Sequence, residues 1–247
     1  EYLDNEFSIA GNSFSKYRYL SNIYNLDETI FNKKISLPET SKSYHYKFLS
    51  KKYNSSGGLH VGNNIFSKDI YYQKYLPGKT YSISFIANGE YSRILGLNQL
   101  FLVKDNIKFP FLHSGAMNLG LSEANIDFPK DFIFSICNLY QIKGYCSIDF
   151  KIIDNKIYIL DFNPRLSSSY RLYTRKYENL MHHHLGLVNN EVNMINNQYH
   201  AYIILYAKKD LVISDSINEL ENISDRPTIG DSIKKDMPLF TINLHSN

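Results

Sequence analysis

GYCSIDFKIIDNKIYILDFNPR, residues 144–165, is the stretch on which the fold turns. From Tyr145 to Ile153 it alternates. Cys146, Ile148, Phe150 and Ile152 share one face, and Tyr145, Ser147, Asp149 and Lys151 share the other, the pattern of a half-buried strand. Lys156 to Phe162 reads as a second strand, and Asp154-Asn155 are turn formers, so the two runs are expected to pair as an antiparallel hairpin. Register then decides the chemistry. A two-residue loop at Asp154-Asn155 sets Asp149 opposite Leu160 and sends Asp149 and Asp161 to opposite faces. A three-residue loop, Asp154 to Lys156, sets Asp149 directly across from Asp161. That register, or a bulge giving the same result, is expected.

Two carboxylates in facing positions have Cβ atoms about 5 Å apart and repel each other. The repulsion is relieved by a proton, which appears as a raised pKa, or by a cation. Asn163 lies two residues beyond Asp161 on the same face and adds a neutral oxygen, which favours the cation. Mg²⁺ is the natural candidate, being a hard ion held by one or two carboxylates together with substrate phosphates. A single strand-end Asp is more often a solvated or capping residue, and Asn-Pro alone is a common turn signal. The specificity lies in the combination.

Asp161, Asn163 and Arg165 at alternate positions, with Asp149 twelve residues upstream, resemble the magnesium motif of the ATP-grasp superfamily. The resemblance implies an α+β ATP-grasp fold, two α+β lobes with the nucleotide between them and a C-terminal β-hairpin extension. It implies ATP and one or two Mg²⁺ ions, with Mn²⁺ as an alternative, held by Asp149, Asp161 and Asn163. Arg165, beside Asn163, would steady the transferring phosphoryl group.

Earlier segments follow the same order. Tyr46 to Ser50 reads as a short strand, followed by Lys51, Lys52 and the loop Asn54-Ser55-Ser56-Gly57-Gly58. Glycines let backbone N–H groups approach an anion closely, and a neighbouring lysine supplies point charge. Most Gly-Gly pairs are simple turns, but here the sequence of parts resembles the superfamily's lysine strand and glycine-rich flap. Lys51 then becomes the nucleotide lysine, with Gly57 and Gly58 over the phosphates, although many relatives carry Pro where this chain has Lys52. By the same resemblance Lys16, just ahead of an expected amphipathic helix (Tyr17, Leu20, Tyr24), is a second nucleotide lysine; a solvated helix-end lysine reads equally well. Residues 70–85 (IYYQKYLPGKTYSISF), turned at Pro77-Gly78, resemble the hinge strand whose backbone bonds adenine. That role would fall on Lys74, Tyr75 and Leu76. Gln73 and Thr80 stand where many relatives carry an acid for the ribose hydroxyls.

The rest of the chain reads as connected elements. Tyr81 to Ala87 and Ser92 to Val103 form a hairpin about Asn88-Gly89, and Lys108 to Met117 reads as a strand. Phe132, Ile133, Ile136, Leu139 and Tyr140 recur at helical spacing, with Lys143-Gly144 as the stop. Tyr170 to Leu187 reads as helical, with Ser167 to Ser169 as a candidate cap. Ala201 to Ala207 is an apolar strand, and Arg226 to Leu244 a final hairpin or strand pair. His182, His183 and His184 on a helix point in different directions and do not form one metal site. His184 followed by Leu185 resembles a pair in one ATP-grasp subgroup, and a satisfied helix histidine is the plainer reading; His60 and His113 have no distinguishing spacing.

ATP-grasp enzymes usually carry a preceding Rossmann-like domain, so the resemblance implies that residues 1–26 are a remnant or linker from a missing one, the chain being a fragment, a processed product or one half of a split enzyme with a partner subunit. Residues 27–78 are the small lobe, 79–190 the large lobe with the phosphate site, and 191–247 the C-terminal strands completing it. At 247 residues, with 43% hydrophobic content, 21 Tyr and 15 Phe, the chain can bury a substantial core. A net charge of +3 gives little support to nucleic-acid binding. Cys137 and Cys146 cannot make a disulfide framework and read as core thiols of a reduced, cytoplasmic protein. No membrane-length apolar run and no signal peptide is visible.

GGLHV, YYQKYLPG, SIDF, DFNPR, AYIILYA and RPTIGDSI together resemble a subgroup akin to the tyramine–glutamate ligases of one-carbon cofactor synthesis. The wider resemblance implies an ATP-dependent carboxylate–amine ligase acting on a small-molecule acid and an amine, with a homodimer as one assembly. The alternatives are an ATP-grasp small-molecule kinase and a catalytically silent or split-enzyme ATP-binding module.

Overall fold

The computed structural model describes residues 10–53, 57–59, 61–62, 69–103, 108–120, 126, 128–188, 191–214 and 221–246. His60 and the Asn54-Ser55-Ser56 part of the glycine-rich loop lie outside them. Strands follow in chain order as β1 (Ile35–Ser36), β2 (Thr40–Ser41), β3 (Phe48–Lys52), β4 (Val61–Gly62), β5 (Ile70–Lys74), β6 (Thr80–Asn88), β7 (Ser92–Leu102) and β8 (His113–Leu119). Then come β9 (Lys143–Ile153), β10 (Lys156–Asn163), β11 (His200–Tyr206), β12 (Leu211–Val212), β13 (Ile223–Ser224), β14 (Ser232–Ile233) and β15 (Pro238–His245). The helices are α1 (Phe14–Leu20), α2 (Lys130–Tyr140) and α3 (Leu180–Leu185).

Two main sheets result. A four-stranded sheet runs β2-β5-β3-β4, and a nine-stranded sheet runs β1-β10-β9-β6-β7-β8-β11-β15-β13. β12 pairs with β14 apart from both. The tail strand β15 is held between β11 and β13. The fold is thus strand-rich α+β, with the helices packed on the large sheet.

The middle of the large sheet, β6, β7 and β9, is buried on both faces. On one side α1, α2 and the Ile23–Asn25 turn press Leu20, Ile23, Phe132, Ile133 and Ile136 onto Phe85, Cys146, Ile148 and Phe150. On the other, Tyr173, Tyr177 and Leu180 cover Ile86, Leu95 and Tyr145. The face of β9 that reads as polar therefore does not simply meet solvent. Its Tyr145 end is roofed by tyrosines, and its Asp149 end opens into a cleft.

The decisive hairpin has a two-residue turn and a bulge. Lys156 pairs with Ile153, and Asp154 (φ 50°) and Asn155 (φ 59°) both adopt the left-handed conformation that a two-residue hairpin turn needs. The register then shifts between Ile159 and Asp161, so that Asp161 pairs with Asp149. Leu160 is the extra residue. The three-residue loop is absent and the bulged alternative is present, because one inserted residue flips every later side chain to the other face.

Other expectations shift. Strand β8 begins at His113 rather than Lys108, and β3 includes Lys51. Helix α2 stops at Gln141, left-handed at φ 49°, before Lys143-Gly144, which already belong to β9; Leu139 faces outward, half exposed. The expected helix over Tyr170 to Leu187 is broken into a 3₁₀ turn, Ser168–Leu172, a run of turns, and α3. Tertiary contacts override local propensity here. Tyr173 Oη donates to Asn98 Oδ1 (2.7 Å), Tyr177 Oη donates to Leu95 O (2.6 Å), and Asn179 is left-handed at φ 50°. Gly96 makes room for the first of these, since a Cβ there would lie 2.7 Å from the Tyr173 hydroxyl. Cys137 and Cys146 are buried free thiols, and burial pushes Cys137 up to about 12. Among the described residues no helix is long and apolar enough to cross a membrane.

Candidate active site between the two sheets

The cleft lies between the four-stranded sheet and the polar face of β9. Lys51, Gln73, Lys74, Tyr75 and Leu76 line one wall together with Gly57 and Gly58. Ser82, Ser147, Asp149, Lys151, Asp161 and Asn163 line the other. Period-two alternation explains the second wall: Ser147, Asp149 and Lys151 are alternate residues of β9, Ser82 pairs with Asp149 from β6, and the bulge delivers Asp161 and Asn163 to the same face.

At its floor Asp149 and Asp161 sit side by side. Burial raises Asp149 to about 6, against the lowering effects of a Ser82 hydrogen bond and of Lys51, Arg165 and Asn163. Burial raises Asp161 to about 7, with Lys51 pulling it down and the Asp149 charge pushing it up. The two carboxylates are close enough to titrate as a pair. Asn163 Nδ2 lies 3.4 Å from Asp149 Oδ2 as donor, and Asn163 Oδ1 accepts from Arg165 Nη2 at 3.2 Å. A half-turn of that amide would bring its oxygen to the carboxylates. Two crowded carboxylates beside a neutral amide fit a magnesium ion that takes its remaining ligands from phosphate and water. Among the described residues there is no cluster of three or more His, Cys, Asp or Glu.

Lys51 reaches the same floor from β3. It is 9% exposed, its Nζ donates to Leu160 O at 2.9 Å, and it stands 5.8 Å from the Tyr71 ring. Burial lowers its pKa while Asp161 and Asp149 hold it charged. The carbonyl it engages is that of the bulge residue, so the bulge both aligns the two aspartates and offers the acceptor that anchors the lysine.

Gly57 and Gly58 close over the cleft from the small sheet. Gly57 O accepts from His113 N at 3.1 Å, and at Gly58 (φ +81°) a Cβ would lie 1.8 Å from Phe111 O. The glycines permit close approach of the loop to the large sheet. Lys16 is not brought to this site. It falls inside α1 rather than ahead of it, and its Nζ donates to Gln141 O at 2.6 Å. His184 is likewise elsewhere, its Nδ1 accepting from Tyr145 N at 3.0 Å.

Several residues enter the site without having been singled out. Lys151 Nζ donates to Leu76 O (2.7 Å) and Gly78 O (2.8 Å), tying the hinge segment to β9. Its signal was its place two residues after Asp149. Ser167 Oγ pairs with Ser147 Oγ (3.1 Å) and Ser169 Oγ (2.9 Å) instead of capping a helix, and Tyr145 Oη lies 2.8 Å from Ser169 Oγ. His113, only noted in sequence, lies 2.9 Å from Tyr202 Oη in the cleft wall, and burial and Arg171 lower it to about 4.

These features define an ATP-grasp domain, and residues 20–169 match the ATP-grasp domain family: the chain belongs to it. The chain is 27% identical to an uncharacterized protein of Methanocaldococcus jannaschii over 97% of its own length and 64% of that protein's. In structure it is similar to biotin carboxylase from Campylobacter jejuni (TM-score 0.71, 10% identity, 98% of this chain and 66% of that one). It is also similar to L-amino acid ligase from Bacillus licheniformis (TM-score 0.66, 10% identity, 98% and 70%). The chain thus spans about two thirds of the length of each of these three proteins.

Proposed function

We propose that the chain is the ATP-binding catalytic body of a ligase that activates a small-molecule carboxylate as an acyl phosphate and joins it to an amine. The observation that carries this is the bulge-set Asp149–Asp161 pair, with Asn163, Arg165 and Lys51 at one end of a cleft whose other end is the Lys74–Leu76 hinge. The hinge backbone and Gln73 are suited to the nucleoside, and Gly57, Gly58 and Lys51 to the phosphates. Magnesium on Asp149, Asp161 and Asn163 would neutralise the terminal phosphates. Lys51 and Arg165 then hold the transferring phosphoryl group in line while the substrate carboxylate oxygen attacks phosphorus and the bond to ADP breaks. An amine nitrogen adds to the acyl carbon, phosphate leaves with the bonding pair, and the amine loses a proton. The protein's share is positioning and fixed charge rather than covalent chemistry.

The ligase reading is favoured by the structural likeness to an enzyme that joins amino acids. Within it, the subgroup resemblance supports an acid of the glutamate type. The test is ADP release from the purified protein with Mg²⁺, ATP and a panel of acids, with and without amines. Turnover that needs the acid and yields an amide supports the reading, and ADP release indifferent to every acid refutes it.

A further inference from the structure

Ser167 and Ser168 line the cleft on one side and a second hollow on the other. That hollow is walled by Arg171 and Arg175 from the turns after β10, by His200 at the start of β11, and by His245 at the end of β15. His200 and His245 are directly paired across the two strands, with ring centroids 6.4 Å apart. His200 is only 7% exposed, and its Nε2 has no hydrogen-bond partner among the described residues. A buried ring nitrogen left unpaired is costly, and native proteins rarely keep one without a ligand or water to meet it.

The surrounding charge is one-sided. Burial, His245, Arg175 and Lys176 all favour the neutral form of His200, and among the described residues no acid pulls the other way. Lys176 Nζ is engaged with Asn197 Oδ1 at 2.9 Å. No acid lines the hollow among the described residues, and Asp225, next to the lining residue Ser224, is engaged with Arg171 at 3.0 Å and accepts from Thr241 Oγ1 at 2.6 Å. Arg171 also lies 5.2 Å from the Tyr202 ring, which itself faces the cleft. Arg175, by contrast, is exposed; its backbone carbonyl accepts from Asn196, and among the described residues its guanidinium has no hydrogen-bond or ion-pair partner.

The geometry points to an anion subsite in this hollow, formed by Arg175, His200 and His245, that holds a second carboxylate or phosphate group of the acid substrate whose reacting end meets Ser167 and Ser168. The assignment of that group to the acid substrate rests on the ligase reading; anion binding by the hollow does not. An anion there would supply the missing partner of His200 Nε2, pair with the free guanidinium of Arg175, and raise the His200 pKa by opposing the charges that now lower it.

The experiment is a titration of the nucleotide-free protein with inorganic phosphate and, separately, with glutarate. It is followed by NMR of the histidine side chains, with His245→Gln used for assignment. Saturable shifts of the His200 and His245 signals, an upward shift of the His200 pKa, and about tenfold weaker binding in the exposed-site variant Arg175→Gln are expected. The two anions distinguish a phosphate-bearing acid from a dicarboxylate. Unmoved histidine signals with both anions, or an unaltered titration in Arg175→Gln, would overturn the proposal. The readout needs no turnover, so a positive titration beside failed ADP release sinks the ligase reading alone, and a negative one beside intact Mg-ATP turnover sinks the subsite alone.

Discussion

Replacing Asp161 by Asn should make the metal-free protein more stable while removing its chemistry. Asp161 rises from 3.8 to about 7 in the folded chain, and at 1.36 kcal/mol per unit its ionisation costs the metal-free fold about 4 kcal/mol at alkaline pH. That figure already includes the attraction of Lys51, so the neutral variant should gain up to about 4 kcal/mol over the ionised wild type. The sign follows from linkage. A carboxyl raised on folding favours the native state fully below 3.8, and this favour is lost as pH rises through 7. Urea unfolding in EDTA should therefore give equal stabilities for Asp161→Asn and wild type near pH 4 and an advantage to the variant at pH 8. Added Mg-ATP should stabilise wild type much more than the variant, and acid-dependent ADP formation should fall by about two orders of magnitude or more in the variant. A variant less stable than wild type in EDTA at pH 8, or one turning over normally, would refute the account of the crowded pair.

Gly58→Ala should weaken docking of the glycine loop, because the new Cβ would meet Phe111 O at 1.8 Å and the φ of +81° disfavours any side chain. A loss of about 1–3 kcal/mol, with faster amide exchange at His113, is expected. Lys151→Met deletes both hydrogen bonds to the hinge carbonyls, so hydrogen exchange should quicken at residues 78–80 and nucleotide affinity should drop several-fold. Unaltered exchange there would dismiss the tether. His113, lowered to about 4, contributes stability that is present above 6.5 and lost as pH falls through 4. Up to about 3 kcal/mol of acid destabilisation should vanish in His113→Gln, measured as the flattening of stability between pH 6.5 and 4.

The faces of the hairpin strands were legible because alternation is local and has a period of two. The Asp149–Asp161 pairing was expected too, through a three-residue loop or a bulge, but which of the two produces it was not legible, since Ile157-Tyr158-Ile159-Leu160 reads as an unbroken strand and nothing in it marks Leu160 as the inserted residue. Asp154 and Asn155 are strong formers of the left-handed two-residue turn that the chain adopts, so of the two expected devices the turn chemistry favoured the bulge, while its place at Leu160 was set by the tertiary structure. The Tyr170 to Leu187 segment misled for a related reason. Its apolar spacing suits a helix, but its tyrosine hydroxyls are bonded to β7, and those distant partners set the backbone.

By itself the sequence determined which chemistry-bearing residues lie at alternate positions of one short stretch: Asp149 and Lys151 on one strand, Asp161, Asn163 and Arg165 at the end of the next. Local covalent geometry suffices for that. Only the tertiary structure decided that Lys51 meets the Leu160 carbonyl across 109 residues, that Lys151 braces the hinge across 73 and 75, and that His200 is buried among cations with an unpaired nitrogen. Such contacts depend on how sheets pack and register, and a single bulged residue is enough to change them.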